Sequence, residues 1–147
     1  MTIYVKKLRA DAIIPEYQSM YASGFDLHAC GSYYIYNDSV TMVHSGLSFE
    51  FPWNYEMQIR MRSGLAKKYP GYLANGLGTI DSDYRGEIIF PIINPWNPGH
   101  PDYRWRIEHG DRIAQAVLVP VIRSVIVEVT NLSETERGDG GFGSTGI

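Results

Sequence analysis

The sequence predicts an all-β domain, and three observations carry that prediction. Apolar and polar residues alternate with a period of two through runs rich in Val, Ile, Tyr and Phe. These runs are separated by turn-forming residues, with 15 Gly and 8 Pro among the 147 residues. Helical periodicity is scarce. Short strands at close spacing, punctuated in this way, build a sandwich, a jelly roll or a barrel. A chain of this length can bury a sizeable core in one domain without covalent staples.

Taken in order, Ile3 to Leu8 reads as a first strand. Val40 to Phe51 alternates in part and stops at Pro52. Glu56 to Arg62 alternates cleanly, so that Met57, Ile59 and Met61 face one way while Gln58, Arg60 and Arg62 face the other. Ser63 to Tyr69 is the one helical candidate, a turn or two with Ser63 as its cap, stopped by Pro70-Gly71. Glu87 to Ile93 is a short apolar run in which Pro91 predicts an edge or a bulge. Ile113 to Pro120 and Val121 to Val129 read as two late strands. Asn94 to Pro101 is too rich in Pro for a regular strand. No internal repeat or linker divides the chain, so residues 1–133 are expected to form one β-rich core and residues 134–147 an arm.

The net charge of −3 and a pI near 5.8 argue against a general nucleic-acid binder, which shows a basic surplus. They leave room for a mononucleotide, whose site needs only a few local cations. The single cysteine, Cys30, excludes an internal disulfide and fits a reducing compartment. The four histidines, His28, His44, His100 and His109, lack zinc-motif spacing, and a surface or loop position is expected for each. The apolar window Ile113 to Ile122 is too short to span a bilayer, and the N-terminus lacks the apolar core of a signal peptide. A cytoplasmic protein without membrane or nucleic-acid partners is expected.

Several segments hold residues able to do chemistry. Residues 78–87 contain Asp81, Asp83 and Tyr84. On an extended strand the two carboxylates share a side, and in a tight turn they diverge. A carboxylate held ionised at a strand end can take a proton from water. Tyr84 offers either a core contact or a flat wall against a sugar or base. Arg62, Ser63 and Gly64 place a guanidinium, a hydroxyl and unhindered N–H groups at a strand-to-helix junction, which suits either phosphate or a plain helix start. Asp111 and Arg112 fit a turn or a structural ion pair. Gln115 lies in an apolar strand and needs a partner, from backbone or from ligand. Asp26 caps a turn or stands near a hydrated cation. Residues 137–146 combine Arg137, Phe142 and two hydroxyls with many glycines. That inventory can close over a polyphosphate and stack on a base.

In this order, the segments 22–29, 62–66, 75–87, 110–115 and 137–146 resemble the five motifs of the homotrimeric deoxyuridine triphosphatases (dUTPases). Phe25, Met61 and Thr79 depart from the commoner residues, and the stretch from Pro95 to Arg106 is longer than is common. The resemblance implies a jelly-roll-like subunit that hydrolyses dUTP to dUMP and pyrophosphate with Mg²⁺. Such an activity limits uracil in DNA and supplies dUMP for thymidylate synthesis. It implies Asp81 as the general base for the attacking water. Asn75, with backbone near Thr79 and Ile80, is implied to bind uracil, and Tyr84 to pack on deoxyribose and exclude a 2′-OH. Arg62, Ser63, Gly64 and Gln115 are implied to hold the phosphates, and Asp26 to anchor water on Mg²⁺. Phe142 is implied to stack on uracil, while Arg137, Gly143, Ser144 and Thr145 close the site. Three chains are implied to build each site. A dCTP deaminase of the same fold, or a nucleotide-sensing regulator contacting a protein partner through residues 95–106, are the rival readings.

Overall fold

The computed structural model describes residues 1–95 and 103–141, and their regular secondary structure is almost entirely β. Eleven strands run in chain order. They are β1 (Tyr4–Lys7), β2 (Phe25–His28), β3 (Tyr33–Tyr36), β4 (Ser39–His44), β5 (Leu47–Glu50), β6 (Tyr55–Met61), β7 (Tyr72–Leu73), β8 (Gly78–Ile80), β9 (Ile89–Asn94), β10 (Arg104–Ile107) and β11 (Arg112–Pro120). One short helix, α1 (Ser63–Lys68), lies between β6 and β7.

All strand pairs are antiparallel. One sheet has the order β2-β11-β6-β8, a second the order β4-β9-β7, and β1-β5 and β10-β3 form two-stranded ribbons. The long strand β11 is held on both edges, with Ala116 opposite Phe25 of β2 and opposite Ile59 of β6. The core draws on every sheet: Leu27, Ile35, Val43, Leu47, Met57, Phe90, Ile92, Ile107 and Ile113 are all fully buried. Met57 and Ile59 are buried on β6 while Arg60 is exposed, as the period-two pattern requires.

Four local expectations are corrected. Val40 to Phe51 is two strands, β4 and β5, broken at Ser45-Gly46. Gly46 has φ +68°, and a Cβ there would meet Cys30 Sγ and Ala12 Cβ at 2.8 Å. Ser63 is not the helix cap. Arg62 occupies that position, with extended backbone and no capping side-chain hydrogen bond. Pro91 sits within the central strand β9, opposite Met42. Its carbonyl accepts the Ala74 N–H at 2.7 Å, so the missing N–H falls on that same side, beyond the two-residue β7, and costs the β4 ladder nothing. Val121 to Val129 joins no ladder among the described residues. It leaves β11 with the Val121 N–H donating to the Asn54 carbonyl at 2.8 Å and carries its apolar side chains from Ile122 onward exposed.

Histidine placement follows expectation for His109 and for the partly exposed side chain of His44, but not for His28, whose ring Nδ1 is buried. His28 lies on β2 and His44 on β4, whereas His109 is in the turn before β11. His100 lies outside the described residues. Trp105, in the long stretch before β11, is buried rather than decorative, stacked on Tyr69 at 4.3 Å between ring centroids. No helix among the described residues is long and apolar enough to cross a membrane.

Candidate active site

The segment 78–87 builds one wall of a cleft. β8 ends at Ile80, and the chain turns at once, with the Tyr84 N–H donating to the Asp81 carbonyl at 3.1 Å. The tight turn is therefore the conformation adopted. Thr79, Ile80, Asp81 and Tyr84 line an open cleft of about 310 Å³ together with Met42, Glu87 and Ile89. A second, more polar cleft of about 300 Å³ adjoins the turn, lined by Trp53, Tyr55, Glu56, Asp81, Ser82, Asp83, Val121 and Arg123. Asp81 is common to both and is exposed, so a bound water can reach it.

Tyr84 is held rather than loose. Its hydroxyl donates to the Glu87 carbonyl at 3.2 Å, and the ring lies so close over Gly86 that a Cβ there would overlap the phenol oxygen. Arg85 fastens the turn from outside by donating to the carbonyls of Ser82 at 2.7 Å and Tyr84 at 3.1 Å. Glu87 ties the cleft to the β4–β5 turn: one oxygen accepts the Gly46 N–H at 2.7 Å and the other meets His44 Nδ1 at 2.9 Å. Motif reading missed Met42, which enters through the β4–β9 register and has no local signal in the sequence.

A second group forms at the far end of β6. Asp26, buried on β2, accepts Arg62 Nε at 2.8 Å on one oxygen and Arg112 Nη1 at 3.3 Å on the other. Arg112 is thus paired with Asp26, while Asp111 instead accepts the Glu108 N–H at 2.9 Å. Two guanidiniums on one carboxylate leave a net positive cluster, with Ser63 and Gly64 exposed at the start of α1 beside Arg62. Gln115 is half-buried on β11, opposite Asp26 and Arg60, and its amide makes no hydrogen bond with another described side chain. Gly24 lets the chain pass close to this strand, since a Cβ would meet the Ala116 carbonyl at 2.7 Å. Burial holds the His28 imidazole below its ordinary value of 6.5, with Asp26 opposing and Arg112 and Arg62 reinforcing the shift.

These two groups do not meet within one chain. Ile80 pairs with Met57, and Arg62 follows five residues later along β6. That separation is roughly 16 Å of extended strand. Asn75 is exposed in the loop between β7 and β8 and does not line the cleft with Thr79. Arg137 begins a turn of its own, with Nε donating to the Gly140 carbonyl at 2.8 Å. Phe142, Gly143, Ser144 and Thr145 lie outside the described residues.

For Mg²⁺, Asp26 is poorly suited to direct ligation, because two cations already occupy its oxygens. A carboxylate offers about four lone-pair sites, so room remains for a water carried by an incoming ion. The donor set fits a hydrated metal that arrives on an anionic ligand.

Comparison with known proteins identifies the family. A family model described as dUTPase matches residues 10–146. A deoxyuridine 5'-triphosphate nucleotidohydrolase of Nautilia profundicola is 49% identical over 146 residues, covering 99% of both chains. One of Syntrophotalea carbinolica is 45% identical over 149 residues, covering 100% of this chain and 98% of the relative. The solved dUTPase of Staphylococcus bacteriophage 80alpha with dUPNHPP superposes with a TM-score of 0.90 at 25% identity, covering 99% of both chains. The chain belongs to the dUTPase family.

Proposed function

We propose that the protein hydrolyses dUTP to dUMP and pyrophosphate, as a homotrimer in which each site is shared between chains. The observation that carries this reading is the distance between the two halves of the site. The cleft at Asp81 and the cationic cluster at Arg62 stand at opposite ends of β6. A second copy that sets its cluster against the Asp81 cleft completes the site. The exposed apolar segment after Pro120 supplies surface for such an association.

In this reading Asp81 orients the attacking water and accepts its proton as the water adds to the α-phosphorus. Arg62, Ser63, Gly64 and Gln115 of a neighbouring copy hold the phosphates, and charge developing in the transition state falls on the Arg62 guanidinium. Asn75 and backbone at Thr79 and Ile80 address the uracil. The fixed Tyr84 ring fills the space a 2′-OH needs, so ribonucleotides are rejected by packing. The arm carrying Arg137, Phe142, Gly143, Ser144 and Thr145 closes over the bound nucleotide from a third copy and excludes water. Asp26 would hold a water of a Mg²⁺ ion carried in on the triphosphate, and such an ion would supply charge neutralisation and polarisation of the phosphoryl oxygens.

The test is pyrophosphate release with Mg²⁺ from dUTP, dCTP, dTTP and UTP in parallel, with ammonia monitored for dCTP. Selective release from dUTP is expected. Ammonia from dCTP, or no turnover of any of the four, overturns the reading.

A further inference from the structure

We propose that the chain carries a separate site for a zinc-class divalent ion, formed by Asp11, Cys30 and His109. None of these residues belongs to the cleft or to the cationic cluster, so the inference stands independently of the proposed reaction. The three come from different segments: the loop after β1, the chain leaving β2, and the turn entering β11. Their ligand atoms lie within 4.8 Å of one another. Cys30 Sγ is 3.4 Å from Asp11 Oδ1, and His109 Nδ1 is 3.9 Å from Asp11 Oδ2. Ligands around a tetrahedral zinc sit roughly 3.3–3.6 Å apart, so a closure of about 1.5 Å or less gathers all three. Thiolate, imidazole and carboxylate together select zinc-like ions over Mg²⁺, and three protein ligands leave a fourth position for water.

The local chemistry is already arranged around a cation. Arg9 forks onto Asp11, with Nε at 3.2 Å and Nη2 at 2.9 Å. Its side chain is half exposed and can turn outward. The Cys30 carbonyl that Arg9 also contacts keeps a second donor, the Tyr33 hydroxyl at 2.9 Å. His109 Nδ1 accepts the Gly31 N–H at 3.1 Å. A metal takes the same ring lone pair, so on loading the Gly31 N–H passes from the imidazole to water. The Cys30 thiol, raised by burial and by Asp11, gives up its proton to solvent when the sulfur–metal bond forms. No atom changes oxidation state. Acid therefore opposes loading.

Loading ties together elements that backbone bonds already join, since Ala29 N–H donates to the Asp111 carbonyl at 2.9 Å and Gly110 N–H to the Ala29 carbonyl at 2.8 Å. The same two strands, β2 and β11, carry Asp26 and Arg112. The site is a clamp on the strand pair beneath the cationic cluster.

The experiment is titration of the purified protein with Co²⁺ at neutral pH, without nucleotide or Mg²⁺. Saturation at one equivalent per chain is expected, with a thiolate-to-cobalt charge-transfer absorption and tetrahedral d–d bands that Zn²⁺ abolishes by displacement. His109→Ala weakens binding by roughly tenfold or more. Cys30→Ser removes the charge-transfer absorption. Arg9→Ala strengthens binding several-fold by removing the competing cation. Because Cys30 is buried, the exposed His109→Ala decides the matter if the serine variant is unstable. Absence of saturable binding to the wild type, or cobalt spectra and affinity unchanged by His109→Ala, overturns the site.

Discussion

Arg62 Nε donates to Asp26 Oδ1 at 2.8 Å, joining the residue that opens α1 to a buried carboxylate on β2. The bond fixes the guanidinium across a strand boundary, and Arg112 holds the same carboxylate from the other side. Asp26→Asn leaves two guanidiniums facing each other without a counter-charge. Both arginines are partly exposed, so solvent moderates the cost, which is about 1–3 kcal/mol. A lowered thermal midpoint checks this. An unchanged midpoint shows the cluster to be dispensable for stability.

Asp81 is exposed at the mouth of two clefts, with no other role in holding its turn than its backbone carbonyl. Asp81→Asn therefore lowers kcat by roughly 10²- to 10⁴-fold while nucleotide affinity stays nearly intact. Single-turnover kinetics beside direct binding of a non-hydrolysable analogue separates the two quantities. Full turnover by the variant removes Asp81 from the chemistry.

The separation of Arg62 from Asp81 along β6 gives a complementation test. If the proposed trimer shares its sites, Arg62→Ala and Asp81→Asn homotrimers are each nearly inactive. After subunits are exchanged at random, three-quarters of trimers are mixed, each with one intact site in three, so about a quarter of wild-type activity returns. A site contained within one chain regains nothing, because every chain carries one defect.

Gly86 is the floor beneath the Tyr84 ring. Gly86→Ala pushes that ring toward the cleft, whose lining includes it. A loss of about 1–3 kcal/mol in transition-state binding is expected, seen as a fall in kcat/KM for dUTP of roughly 10- to 100-fold. An unaltered kcat/KM means the ring does not contact the nucleotide.

His28 makes stability depend on pH. Burial depresses its folded-state value below 6.5, so near and below that value the unfolded chain binds more protons than the folded one. This contribution is fully present above the ordinary imidazole range and is lost as pH falls through 6.5 toward the folded value. Thermal midpoints measured from about pH 8 to 5 drop less steeply for His28→Gln than for the wild type. Parallel curves eliminate His28 as the source.

Legibility followed range. The period-two stretch at Glu56 to Arg62 became β6 with the expected faces, because alternation is local and one face is buried. Thr79, Ile80, Asp81 and Tyr84 share a cleft because they are nearly contiguous. Short strands were not legible: β3, β7 and β10 owe their state to partners far away in the chain. The same holds for Met42, which reaches the cleft only through its register with Pro91. Asp26 and Arg112 were each readable as turn residues, and only the β2–β11 pairing joins them. Ser63 carries cap chemistry, yet the helix starts one residue earlier in effect, with Arg62 engaged by Asp26.

The stretch after Pro120 has a further consequence. Ile122, Val125, Ile126, Val127, Val129 and Leu132 all face water in the isolated chain. In the proposed trimer a neighbouring copy covers part of this surface, so a lone subunit is the sticky form of the molecule. Under that assembly dilution acts as a denaturant, and stability rises with protein concentration.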